Sequence, residues 1–225
     1  MKTNIILPYK DRFGKYKQSL DSFLLPFIIY LDNFVEDYEI CIVEQSGGLV
    51  YDNEELFNLG RAINIGFDIL CKNSNDNDTF IYHPVDILPI DTNYLIDKCT
   101  KFCSSSHSPD GKYAKSLGFK CWEYKKINGH SNQYWGWGLE DDDVFNRLHI
   151  NDIQVNTLIN DYENLGVDGN GYTFESHFMP TYLSNYQYLD ELILSKDCSK
   201  SGLNDLNYEI LEKTTYKNVT KYIIK

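Results

Sequence analysis

The chain predicts an α/β fold, a doubly wound, mostly parallel twisted sheet flanked by helices. Three observations predict it. Short apolar runs alternate with helix-length segments in the order strand, helix, strand, helix, strand. Each run stops at a polar, proline- or glycine-containing loop. The 225 residues are 42% hydrophobic and 24% charged, which suits one domain with a real core and excludes a disordered tail or a disulfide-stapled mini-protein.

The first strand is the run Asn4 to Leu7, closed by Pro8 and followed by the basic turn Lys10-Asp11-Arg12. A helix should extend from Tyr16 to about Val35. Tyr38 to Val43 is the second strand and ends at Glu44-Gln45-Ser46-Gly47-Gly48. Phe57 to Leu70 carries Leu59, Ala62, Ile63, Phe67 and Leu70 at helical spacing, and Thr79 to Tyr82 is a third strand that stops at His83-Pro84. Ligands of such a sheet bind where the carboxyl ends of the strands meet their loops, here Pro8 to Arg12, Glu44 to Gly48, and Pro84 to Asp91. Beyond these lie a polar loop, Cys103 to Lys112, and a strand-like run, Tyr113 to Tyr124. Short strands and turns are expected after Asn151, then a Tyr- and Ile-rich tail. No repeat or linker interrupts the chain, so residues 1–225 are expected to form a single domain.

Twenty-one Lys and Arg against 33 Asp and Glu give a formal charge of -12 and a pI near 4.8. Such a surface repels phosphate backbones and anionic lipid, so no nucleic-acid partner is expected. An anionic small ligand would need a local cluster of cations, backbone N–H groups or a metal. No apolar run approaches the roughly 20 residues of a membrane span. The amino terminus does not resemble a secretory signal, and no anchor or stem is expected before it. The six cysteines (Cys41, Cys71, Cys99, Cys103, Cys121, Cys198) lack CxxC spacing, which disfavours zinc. Free thiols in a reducing, cytoplasmic setting are the expectation.

The chemistry concentrates in Tyr134-Trp135-Gly136-Trp137-Gly138-Leu139-Glu140-Asp141-Asp142-Asp143-Val144-Phe145-Asn146-Arg147-Leu148. Glycine alternating with tryptophan gives a mobile segment carrying flat rings that suit stacking on a sugar. Four consecutive acids at a helix start are favoured by the helix dipole. The bland alternative is a well-capped amphipathic helix behind a buried aromatic loop. A calcium site at Glu140 to Asp143 fits poorly, because adjacent helical acids diverge and there is no glycine-containing twelve-residue loop.

This block resembles the β-1,4-galactosyltransferase-like glycosyltransferases, whose hallmark is Trp-Gly-Trp-Gly-x-Glu-Asp-Asp-Asp followed by Phe-Asn-Arg. Leu139 stands where that family usually has glycine. The resemblance extends in family order through Ile6 to Arg12, Val43-Glu44-Gln45, Phe57-Asn58, Asn64 to Phe67, Val85 to Pro89, Ile127-Asn128-Gly129 and Ser201 to Leu206. It implies a GT-A type fold and inverting transfer of a hexose or N-acetylhexosamine from a UDP-sugar donor to a glycan or glycoprotein acceptor. Asp141 would take the acceptor proton, with Glu140 beside it at a catalytic position. Trp137, Gly138, Asp142 and Tyr134 would hold the acceptor. Pro8, Tyr9, Lys10, Arg12, Asn58, Val85 and Asp86 would line the donor, Lys10 and Arg12 against its diphosphate.

Asp86 and His177 would hold Mn²⁺ or another divalent cation, with His83 a further candidate ligand and Glu175 a further oxygen. The chain departs from the family at Pro84, in place of the first acid of Asp-x-Asp, at Leu59 in place of arginine, and at Phe174 in place of methionine. These departures favour the alternative, a sugar- or nucleotide-binding module that has kept the fold without donor chemistry.

Overall fold

Strand β1 (Thr3–Tyr9) is buried along its whole length in the middle of the sheet. Its side chains divide by the two-residue period of a strand, Ile5 and Leu7 entering one core and Ile6 the other. The structure, a computed structural model, describes residues 2–11, 15–51, 53–90, 97–104, 116–136, 138–160, 162–164 and 180–225. Helix α1 (Lys15–Phe34) covers one face with Leu20, Phe23, Phe27 and Leu31, at the spacing of a helical stripe. β2 (Tyr38–Gln45) follows, then a small ribbon of β3 (Val50–Tyr51) and β4 (Glu54–Glu55). Helix α2 (Leu59–Cys71) covers the opposite face with Ala62, Ile63, Phe67 and Leu70. β5 (Thr79–Tyr82) ends that half, and β6 (Ile87–Pro89) lies just beyond it. Helices on both faces explain why the central strands are apolar throughout.

The remaining elements are β7 (Thr100–Ser104), β8 (Ser116–Lys120), α3 (Cys121–Lys126), α4 (Glu140–Ile150), β9 (Asn156–Asn160), β10 (Tyr162–Asn164), α5 (Pro180–Ser195), β11 (Ile210–Tyr216) and β12 (Val219–Ile224). They complete an eight-stranded sheet of order β11-β12-β2-β1-β5-β8-β7-β9. β1 pairs in parallel with β2 and β5, and β12 with β2, whereas β8 runs antiparallel to both β5 and β7. Among the described residues no helix is long and apolar enough to cross a membrane.

Three expectations need correction. The run Tyr113 to Tyr124 is not one strand: 113–115 lie outside the described residues, β8 stops at Lys120, and Cys121 opens α3. Glu123 turns the chain, its carboxylate accepting the backbone N–H groups of Lys120 (2.7 Å) and Cys99 (3.0 Å). Cys103 and Ser104 end β7 rather than opening a loop. The segment after Asn151 contains a 16-residue helix, α5, besides short strands. Pro180 starts it, and Asn185, Leu189 and Leu192 form its buried stripe. The tail is the hairpin β11–β12, whose outer strand carries Glu212, Lys213 and Thr214 along the open edge.

A buried polar knot fastens α2 to the segment leading toward α4. Asn64 Oδ1 accepts from the Tyr124 hydroxyl (2.7 Å) and from the His130 N–H (3.0 Å), while Asn64 Nδ2 donates to the His130 carbonyl (2.7 Å). Gly129 threads this knot at φ 66, and an added Cβ would sit 2.4 Å from Asn64 Oδ1. Gly129→Ala is therefore expected to destabilise the fold by about 2–4 kcal/mol, through left-handed strain and the displaced amide. A urea midpoint unchanged from wild type would contradict it.

Candidate active site

The first two loops singled out by the sequence meet at the carboxyl ends of β1 and β2, where Tyr9 lies in register with Glu44. Pro8 and Tyr9 are the last residues of β1, and both are buried. The Lys10 side chain crosses to the second loop, its Nζ donating to the Gly47 carbonyl (3.1 Å) and pairing with Glu55 (3.0 Å). Lys10 is thus a largely buried ammonium at the rim of the sheet, not a solvated turn residue. Gln45 organises the same loop. Its amide donates to the carbonyls of Gly47 (2.6 Å) and Leu56 (2.9 Å) and accepts from the Asn58 N–H (2.9 Å). Asn58 caps α2 through Arg61 N (2.9 Å) and donates to the Asn132 carbonyl (2.7 Å), so its side chain is engaged within the fold. Arg12 lies outside the described residues.

The aromatic loop is tied down at both ends. Gly136 N–H donates to the Phe57 carbonyl (2.9 Å). The buried Asn185 amide of α5 donates to the carbonyls of Trp135 (3.2 Å) and Gly138 (3.1 Å). Asn185 was invisible as a site residue, because nothing local to it signals a contact some 50 residues back. Trp137 lies outside the described residues. Gly138 (φ 100) and Leu139 (φ 73) bring the chain into α4 through left-handed backbone. Leu139 adopts there a conformation that glycine reaches without steric penalty, which gives a physical reason for glycine at that position in similar chains.

The acidic run then splits by helical geometry. Asp143 turns inward, paired with Arg147 one turn on and accepting from the Tyr134 hydroxyl (3.0 Å). Tyr134 therefore supports α4 from beneath. Glu140, Asp141 and Asp142 remain half-exposed at the helix start. The hydroxyl of Tyr82, the last residue of β5, lies 3.3 Å from Asp141 Oδ1, so α4 presents its acids at the carboxyl end of the sheet.

Although these acids open to the surface on one side, protein packs around them on the others. Loss of water raises the pKa of Glu140, against the pull of the Glu140 and Gly138 backbone N–H groups. Asp141 rises well above the usual carboxylate range, first through burial and then through the Glu140 charge, with Tyr82 and Lys101 acting in the opposite direction. An acid raised in this way holds a proton more readily than an exposed aspartate, a property that suits a group exchanging protons with a substrate. Lys101, a buried residue of β7, places its Nζ 5.5 Å from the centre of the Phe145 ring on α4.

The metal candidates are only partly described. Val85 is buried in the core packed on α1, and Asp86 follows it, half-buried in the turn before β6. His83 is corrected as a ligand: its Nε2 meets the Ile87 carbonyl (3.0 Å), its Nδ1 meets Ser116 Oγ (2.8 Å), and its ring stacks on Phe23 and Phe27. Burial pushes its pKa down to about 4, and the ring stays neutral. His177, Glu175 and Phe174 lie outside the described residues. Among the described residues no group of three or more His, Cys, Asp or Glu could hold a metal ion; of the expected pair, Asp86 is described and His177 is not.

This architecture, with basic and acidic groups gathered at one end of a mixed sheet, is an α/β fold that agrees with the GT-A type implied by the resemblance. Comparison with known proteins agrees. A family model described as the N-terminal region of glycosyl transferase group 7 matches residues 1–100. Another, described as the N-terminal domain of galactosyltransferase, matches residues 114–166. The chain belongs to this galactosyltransferase-like family, as a divergent member. Bos taurus β-1,4-galactosyltransferase 1 is 27% identical over 245 aligned positions that span 99% of this chain and 54% of the relative. Caenorhabditis elegans xylosylprotein 4-β-galactosyltransferase is 29% identical across 92% of this chain and 70% of its own length. A Lymnaea stagnalis β-N-acetyl-D-glucosaminide β-1,4-N-acetylglucosaminyl-transferase is 34% identical across 65% of this chain and 30% of its own length. The chain thus spans about half the length of the bovine relative and less of the Lymnaea one. A Drosophila β1,4-galactosyltransferase 7 mutant solved with manganese, UDP-Gal and xylobiose superposes with TM-score 0.73 at 23% identity, covering 99% of this chain and 93% of that one. At that identity the likeness is one of fold.

Proposed function

We propose that the protein is an inverting glycosyltransferase that moves a hexose or N-acetylhexosamine from a UDP-sugar to a glycan or glycoprotein acceptor. The observation that carries this reading is the placement of Asp141, half-exposed at the start of α4 and hydrogen-bonded at the carboxyl end of β5. In the proposed step an acceptor hydroxyl attacks the anomeric carbon, the bond from that carbon to UDP breaks, and Asp141 takes the hydroxyl proton. Glu140 and Asp142 orient the acceptor, and Trp137 closes over it. Lys10 exchanges Glu55, a half-exposed partner, for a diphosphate oxygen, and Arg12 is the proposed second cation for the diphosphate. Asp86, with His177 the proposed second ligand, would hold a divalent cation, and that cation would supply charge neutralisation for the departing UDP. The relatives' names include both galactosyl and N-acetylglucosaminyl transfer, which supports leaving the sugar at the level of a class.

The alternative, a binding module without donor chemistry, is favoured by Pro84 beside a lone described metal candidate. Calorimetric titration of UDP with and without Mn²⁺ separates the two. Transfer predicts UDP binding that weakens at least about tenfold when the cation is chelated, and turnover in a screen of UDP-sugars with saccharide acceptors. Absence of metal-dependent UDP binding would favour the module.

A further inference from the structure

Asp141 is faced by charged and titratable groups from three elements: Glu140 and Asp142 on its own helix, Tyr82 on β5, and Lys101 on β7. Tyr82 is the one that touches it. The strand fixes the tyrosine's backbone between Ile6 of β1 and Leu117 of β8, and the phenol meets the His130 ring in a T-shaped contact at 5.5 Å between centroids and 80° between planes. Tyr82 is 4% exposed. A phenylalanine would fill the same apolar space, so packing does not account for the hydroxyl. A buried hydroxyl needs a partner, and the partner here is the Asp141 carboxylate.

We propose that Tyr82 is a positioning residue for Asp141, its hydroxyl holding Oδ1 so that Oδ2 is left to receive the acceptor proton. The inference rests on Asp141 as the base proposed above. A hydroxyl that donates to a carboxylate favours the ionised form, the form a base requires. It acts against burial and against the neighbouring Glu140 and Asp142, and Lys101 acts with it by charge alone. The phenol keeps its proton, since burial and then the Asp141 and Glu140 charges raise its own pKa well. No oxidant or added reactant is involved: the proton passes from acceptor to Asp141 while Tyr82 remains a donor.

The test is a carboxyl-carbon NMR titration of the Asp141 side chain in wild type and Tyr82→Phe, the resonance assigned by its loss in Asp141→Asn. Removal of the hydroxyl is expected to raise the Asp141 midpoint by about one pH unit. Lys101→Met is expected to move it the same way. In transfer assays the acid limb of kcat should rise by the same amount in Tyr82→Phe while KM for the UDP-sugar holds. An unmoved midpoint, with or without a lowered melting temperature, would make Tyr82 a packing residue and overturn the proposal. The titration needs no turnover, so it decides the Tyr82 contact separately. Full transfer by Asp141→Asn would instead remove the base, and with it the role assigned to Tyr82.

Discussion

Asp141→Asn is expected to lower kcat by about 10³-fold or more while UDP affinity stays within about twofold of wild type. Asparagine has nearly the same size and shape as aspartate and keeps an oxygen that can accept from Tyr82, so α4 and its anchoring through Asp143 and Arg147 should persist. What it loses is the capacity to bind a proton. A sugar hydroxyl is a weak nucleophile until its proton can leave, and in an inverting displacement one base on the face opposite the leaving group must take it. The proposed donor side, at the ends of β1 and β2 around Lys10 and Gln45, does not include this carboxylate. The raised pKa of Asp141 gives the sign of the pH effect: wild-type turnover falls as pH drops through that raised value, because protonation removes the base. Paired measurements of transfer by mass spectrometry and of UDP binding by calorimetry read both halves. If the variant loses UDP affinity as fully as turnover, the carboxylate belongs to the donor site; if it turns over normally, it is not the base.

The first half of the fold was legible because its strands are buried on both faces. Runs such as Asn4 to Leu7 and Thr79 to Tyr82 can only be central strands when helices cover each side, and α1 and α2 carry clean apolar stripes. The second half was harder to read. The turn at Cys121 depends on Glu123 reaching Cys99, a contact across 24 residues that no window of local propensity contains. Helix α5 hides in a Tyr-containing stretch whose apolar residues Leu183 and Leu194 face outward, which blurs its period. The acidic cluster was legible from its motif, yet its division was not drawn, although Asp143 and Arg147 stand four apart and that spacing places them on one helix face. Lys10 was read as a donor contact; its burial against Gly47 and Glu55 arises from two loops brought side by side by β1–β2 pairing. Tyr82 was read only as the end of a strand, since its hydroxyl gains meaning when α4 is packed against β5.

Arg147→Ala should have the largest effect on stability, about 3–5 kcal/mol. Both side chains of the Asp143–Arg147 pair are only 3% exposed. Beyond its Nε contact to Asp143, the guanidinium points Nη1 at the carbonyls of Ile127 (3.4 Å), Gly129 (3.4 Å) and Cys198 (3.3 Å), joining α4 to the turn after α3 and to the chain beyond α5. Truncation strands a carboxylate in the interior. Burial already raises the pKa of Asp143, and Arg147 is the foremost influence holding it down, so the variant should take up a proton at Asp143 on folding at mildly acidic pH. By linkage the deficit should then be larger at pH 8 than at pH 5, since a raised native pKa favours the folded state only where the proton is bound. A double variant, Asp143→Asn with Arg147→Met, removes both charges, keeps an acceptor for the Tyr134 hydroxyl and fills most of the volume. It should recover more than half of the loss, because the desolvation of two ions disappears together with their attraction. Urea unfolding of the three proteins at both pH values measures this directly. A single-variant deficit below about 1 kcal/mol would mean that α4 is held by its apolar face, Val144 and Leu148, and that the ion pair is incidental to how Asp141 is presented.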